Sequence, residues 1–157
     1  MQLTLRLITN ADRDAYQGWI DKIKAHQYMS RFYPKTFDGQ TFSGSKLLCW
    51  YIIVSDHQDI GTVWLEKERN EDAAVILGIM LGDEKKFGAG IGQKAIKLAI
   101  NQSHSELEFY KVELNVRKTN SRALRCYLST GFKIIEEGHK IIDTGETISV
   151  LRMRLQL

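Results

Sequence analysis

Three glycines alternate in Gly88-Ala89-Gly90-Ile91-Gly92. Glycine lets backbone amides approach a ligand closely, and a helix N-terminus adds free N–H groups and the positive end of its dipole. A strand before this run and a helix after it make an anion site in outline, suited to a phosphate or pyrophosphate. Lys85 and Lys86 precede the run, and Lys94 and Lys97 follow it. A dinucleotide fingerprint fits poorly, because its third glycine would fall at Gln93 and the run follows the fourth strand rather than the first. A Walker loop is excluded, since no Gly-Lys-Ser/Thr follows the glycines. Arg117, Lys118, Arg122 and Arg125 form a second basic group, which by itself is an ordinary solvated face.

Cys49 and Cys126 are too few for a disulfide framework or, alone, a four-ligand zinc site. Their neighbours are apolar or aromatic, which points to buried thiols in a reducing compartment and to no metal. The chain has 157 residues, 43% hydrophobic and 26% charged, as expected of one globular domain over 1–157. The net charge of +3 is too small to imply nucleic acid binding by itself. No run of apolar residues is long enough to span a membrane, and the N-terminus lacks a signal-peptide core. A cytoplasmic protein with no membrane partner is the expectation.

The elements around these residues follow from periodicity. Leu3, Leu5 and Leu7 alternate with Thr4 and Arg6 as a strand, and Thr9 and Asn10 can cap a helix through Tyr16, Trp19, Ile20 and Ile23. The segment 31–45 reads as a loop with at most one short helix. Strands are predicted over 47–54, 60–66 and 73–81, the last broken by Gly78. The polar turns 56–59 and 67–72 join them into an antiparallel meander. Ile91, Ala95, Leu98 and Ala99 form one helical stripe. A strand over 111–116, a helix over 120–130 closed by Gly131, and strands over 132–136 and 147–155 complete the chain. Gly138 and Gly145 are placed in the last turn. The order β-α-βββ-α-β-α-ββ is mixed α+β.

At this point the chain resembles the GCN5-related N-acetyltransferase (GNAT) superfamily over nearly its whole length. The family's first motif, Gln/Arg-x-x-Gly-x-Gly/Ala after the fourth strand, is met by Gly90 and Gly92, with Phe87 at the Gln/Arg position as a departure. The second, Asn-x-x-Ala-x-x-x-Tyr-x-x-x-Gly-Phe, is met in full by Asn120, Ala123, Tyr127, Gly131 and Phe132. The resemblance implies a mixed, mostly antiparallel seven-stranded sheet flanked by about four helices. It also implies acetyl transfer from acetyl-CoA, as cosubstrate, to a primary amine of a small molecule or peptide.

The family's glycine-loop amides hold the coenzyme A pyrophosphate, which assigns Lys86, Phe87, Gly88, Ala89, Gly90, Ile91, Gly92 and Gln93 to the coenzyme. Its preceding strand pairs with the pantetheine arm, which adds Met80 and Leu81. Asn120 would contact the same arm, and Arg122 and Arg125 would serve the adenosine 3′-phosphate. The matching tyrosine is the family's general acid, so Tyr127 would protonate the leaving sulfur. A phenol near pKa 10 and a thiol near 8.5 make that step uphill but close.

Asn115 falls where several relatives carry a glutamate base. It cannot take a proton but can position an amide or a water. Ile76 replaces another relative's glutamate, so no general base stands out among Glu66, Asp83, Glu113, His26 and His57. The acceptor site is expected among residues 16–44 and 138–146. Trp19, Tyr28, Phe32, Tyr33 and Phe37 are candidates for a pocket, with core as the alternative for half or more of them, and Asp12, Asp14, Asp21, Asp38, Asp143 and Glu146 are candidates for binding a cationic amine. Two rival readings are a coenzyme-binding protein of this fold with little or no catalysis, and an RNA-binding module using Arg117 to Arg125. Oligomeric state stays open, a homodimer included.

Overall fold

The alternating leucines form strand β1 (Leu3–Leu7) in the computed structural model, which describes residues 2–24, 31–83 and 90–157. Leu7 departs from the pattern and is exposed. Arg6 of β1 reaches Asp12 at 2.6 Å, and the Asp12 carboxylate also accepts the Thr9 N–H at 2.8 Å. These bonds close the 3-10 turn Asn10–Asp12 and open helix α1 (Arg13–Lys24), which buries Tyr16, Trp19, Ile20 and Ile23 as its spacing predicts. The segment 31–45 carries no helix. Three α-helices and one 3-10 turn lie among the described residues, against the expected four or so helices.

Strands β2 (Leu48–Ser55), β3 (Gln58–Glu66) and β4 (Ala74–Leu81) form the expected antiparallel meander. The first turn is shorter than predicted, because Asp56 and His57 both take left-handed φ values (49° and 69°), the backbone that closes a two-residue hairpin. β4 runs unbroken through Gly78. Helix α2 (Ile91–Ser103), β5 (Lys111–Arg117), helix α3 (Ser121–Thr130), β6 (Lys133–Ile141) and β7 (Thr147–Gln156) follow. Gly138 lies inside β6, and of the two glycines assigned to the last turn only Gly145 (φ 85°) is there.

The seven strands form one sheet in the order β1-β2-β3-β4-β5-β7-β6. All pairs are antiparallel except β4 with β5. Alternation divides the buried side chains between the two faces. Val75, Leu77, Ile79 and Leu81 of β4, with Val112, Leu114 and Val116 of β5, pack with Ala95, Ala99, Ala123 and Tyr127 of α2 and α3. Trp50, Trp64 and Met80 pack on the opposite face with Tyr16, Ile20 and Ile23 of α1. Cys49 and Cys126 are buried free thiols, as expected.

Candidate active site

The site begins as a pairing that stops. β4 and β5 pair only through Ala74↔Lys111, Val75↔Val112 and Ile76↔Glu113. Beyond Ile76, β4 stays on β3 as far as Leu81, and beyond Glu113, β5 stays on β7 as far as Arg117. Each strand is held by its outer neighbour and the accumulating sheet twist parts them. A cleft of about 190 Å³ fills the split. Leu77, Gly78, Ile79 and Leu81 line it from β4, and Asn115, Val116 and Arg117 from β5. The β4 edge facing it carries backbone groups without a strand partner, so an extended amide-bearing ligand can pair with it as an added strand.

Helix α3 supplies Asn120, Arg122, Ala123 and Tyr127 to the same cleft. Each residue of the Asn-to-Phe motif has a mechanical reason. Asn120 caps the helix by accepting the Ala123 N–H at 3.3 Å. Ala123 and Tyr127, one turn apart, share the buried side. Gly131 (φ 111°) ends the helix, with its N–H on the Leu128 carbonyl and the Phe132 N–H on the Tyr127 carbonyl. Phe132 then packs edge-on against Tyr127, ring centroids 6.0 Å apart.

Tyr127 is 7% exposed, and burial pushes its phenol well above the ordinary range, with the neighbouring Cys126 adding to the shift. Its hydroxyl makes no hydrogen bond among the described residues. It is therefore a neutral phenol with its proton available to whatever occupies the cleft. Burial also pushes the Cys126 thiol up to about 11, only partly offset by its hydrogen bond with Thr130. A ligand thiol desolvated in the cleft would move the same way, narrowing its gap to the phenol.

Ile91 and Gly92 are buried in the first turn of α2, and Gly90 caps it in the left-handed region (φ 79°) with open space where a Cβ would point. Gln93 donates to the Ser129 carbonyl at 3.4 Å and ties α2 to α3. Lys86, Phe87, Gly88 and Ala89, with Lys85, lie outside the described residues. Leu81 lines the cleft, whereas the Met80 side chain points into the core under α1, leaving only its backbone for a ligand. Arg122 lines the cleft, while Arg125 is exposed on α3 and does not. Asn115 also lines it, its Oδ1 accepting from Arg152 at 3.2 Å.

Two of the candidate bases, Glu66 and Glu113, are otherwise engaged. Glu66 is buried and staples the loop by accepting the Lys35 N–H at 2.8 Å and the Thr36 hydroxyl at 3.2 Å. Glu113 lies between Arg152 (2.6 Å) and Arg154 (2.7 Å). Burial opposes its charge, but the two arginines prevail and hold the carboxyl below its usual range. His57 sits in the β2–β3 turn, and His26 lies outside the described residues.

Of the two readings open for the aromatic set, its described members take the core one. Tyr33 stacks between Tyr16 (5.1 Å) and Phe37 (4.7 Å), Phe32 packs against the same cluster, and Trp19 is buried. Tyr28 lies outside the described residues. Of the acids proposed for a cationic amine, Asp12 is paired with Arg6 and Asp38 caps the loop at the Gln40 and Thr41 N–H groups. Asp14, Asp21, Asp143 and Glu146 do not line the cleft. The cleft takes Ile23, Trp64, Arg31, Lys140 and Val150 instead. The visible clue was Gly78: Trp64 faces it across β3 and β4, and the indole occupies the space a side chain there would need.

A mixed sheet that opens between two parallel strands, with the N-terminus of α3 and a buried tyrosine beside the opening, defines an acyl-coenzyme A acyltransferase architecture. The chain belongs to the acetyltransferase (GNAT) domain family, whose model matches residues 2–133. Spermidine N(1)-acetyltransferase of Escherichia coli K12 is 27% identical over 104 residues, 66% of this chain and 55% of that protein. The match thus spans about half the length of that relative. An acetyltransferase of the GNAT family from Streptococcus pneumoniae superposes with a TM-score of 0.76 at 16% identity, covering 99% of this chain and 100% of that one. The aminoglycoside acetyltransferase AAC(6')-Ib, solved with coenzyme A and kanamycin, superposes at 0.70 and 19% identity, covering 99% and 95%.

Proposed function

We propose that this protein is an N-acetyltransferase that moves an acetyl group from acetyl-CoA to a primary amine by direct attack in a ternary complex. The observation that carries this reading is the buried Tyr127 phenol, without a hydrogen-bond partner among the described residues, on the wall of a cleft whose other wall is the open edge of β4.

The residues fit the coenzyme. The β4 edge suits the two amides of a pantetheine arm, and the Gly90-capped N-terminus of α2 suits a pyrophosphate. An amine approaching from the α1 side would reach the thioester through this split, since Ile23 and Trp64 of that core line the same cleft as Tyr127. Holding both reactants there supplies the orientation. The amine nitrogen bonds to the thioester carbon, the carbon–sulfur bond breaks, and the sulfur takes the Tyr127 proton. The ammonium proton of the new amide goes to solvent or back to the phenolate.

The reacting amine must first lose its own proton. No carboxylate lines the cleft among the described residues, whereas Arg31, Arg117, Arg122 and Lys140 do. Like charge disfavours an ammonium and lowers its pKa. The positive wall thus eases loss of that proton to solvent, without a dedicated base. The same lack of a carboxylate favours the second reading, a coenzyme A-binding protein with little or no catalysis. Acetyl-CoA-dependent thiol release with an amine panel separates the two. Release that Tyr127→Phe abolishes supports transfer, and binding without release supports the second reading. If acetyl-CoA neither binds nor raises the melting temperature, both fail.

A further inference from the structure

The charge of the cleft says more about the acceptor, given the transfer reaction proposed above. Arg31 and Lys140 come from opposite sides of the molecule in sequence, the segment after α1 and strand β6, yet both line the cleft. Neither has an ion pair or hydrogen bond among the described residues, although neighbouring cations find theirs: Lys118 with Glu137 at 3.2 Å, Arg152 with Glu113 at 2.6 Å. Their companions on that side are Ile23, Trp64 and Val150, all apolar. The segment 25–30 leading into Arg31 has no Asp or Glu in its sequence.

A polyamine or aminoglycoside carries two or more ammonium groups, and each beyond the reacting one would meet a cation here, with no carboxylate among the described lining residues to receive it. Like charges brought close together repel even in water. An arginine fork and a lysine instead match a carboxylate in charge and geometry. We propose that Arg31 and Lys140 form an anion subsite, and that the acceptor is a small amine carrying a carboxylate with an apolar or short side chain, as in a free amino acid. The carboxylate would seat on these two cations and leave the amine toward the split, where Asn115 is held by Arg152.

The test is thiol release from acetyl-CoA with the standard amino acids, the matching amino acid amides, and spermidine. The expected result is a kcat/KM about ten- to a hundredfold higher for at least one amino acid than for its amide, the range of one charged hydrogen bond. Spermidine should be poorer than that amino acid. In Arg31→Gln and Lys140→Gln the acid-over-amide preference should shrink through the acceptor KM, with the acetyl-CoA KM unchanged. Raising salt should shrink it as well. Amides or spermidine used as well as the acids, or a preference that survives both substitutions, would overturn the inference while leaving the transferase reading intact. Acetyl-CoA binding with no amino acid acetylated would overturn it too and favour the coenzyme-binding reading.

Discussion

Trp64 and Gly78 face each other across β3 and β4, and the indole lies over the glycine so closely that a Cβ built there would fall 2.0 Å from Trp64 Cζ2. Both residues line the cleft, and Trp64 is 1% exposed. The glycine gives the tryptophan its place, and the tryptophan gives the cleft part of its wall. The indole packs under α1 with Trp50 and Ile20, so a methyl added at position 78 would have to displace it.

Gly78→Ala should therefore lower stability by about 1–3 kcal/mol through overpacking and disturb the cleft at the same time. Thermal melting and the acceptor KM measure the two effects. Pairing the change with Trp64→Leu should recover part of the stability; a single variant as stable as the parent would refute the packing argument.

Tyr127→Phe keeps the ring against Phe132 and removes only the hydroxyl, which has no hydrogen-bond partner among the described residues to lose. Turnover should fall by about 10²- to 10⁴-fold. Coenzyme affinity by calorimetry and the melting temperature should stay close to the parent values, which distinguishes a lost proton donor from a damaged fold.

Glu113 is held charged by Arg152 and Arg154. A depressed carboxyl stabilises the fold above its unfolded value of about 4.3, and the contribution is lost as pH falls through the lower folded value. Glu113→Gln should cost about 1–3 kcal/mol at pH 7 by leaving two arginines half-paired, with the gap to the parent closing in acid. With Glu113 clamped between two arginines rather than free to take a proton, the pH dependence of kcat/KM should keep its shape. Loss of the limb that rises with pH would identify Glu113 as the base after all.

Asn120→Ala removes the side-chain cap on α3. About 1 kcal/mol is the usual loss, or a drop of roughly 2–4 °C in melting temperature at this chain length. Asn120→Asp, which caps as well, should restore stability. A coenzyme affinity that stays low in Asn120→Asp would show a ligand contact beyond the cap.

Local rules made much of this legible in the residues. The α3 motif could be read because its parts act within one helix: a cap, two buried positions one turn apart and a glycine stop. The meander and the glycine-capped start of α2 were equally visible, since alternation and left-handed glycine are short-range properties. Which face a side chain takes was harder. Met80 and Leu81 are adjacent, and only the pairing of β4 with β3 decides that the first is core and the second lines the cleft.

The fate of charged and aromatic groups was decided by tertiary structure alone. Glu66 and Glu113 read equally well as bases; one staples a loop 31 residues away along the chain and the other is clamped by β7. Tyr33 and Phe37 read as pocket or core alike and became core, because the loop folds back over Trp50. Arg31 and Lys140 carried no signal at all, since nothing in a chain's local pattern records that two distant cations will face one cleft. Sequence alone gave the order of the strands, the α3 motif and its tyrosine. The splitting of β4 from β5, which comes from each strand being held by a different neighbour, decided what that tyrosine faces.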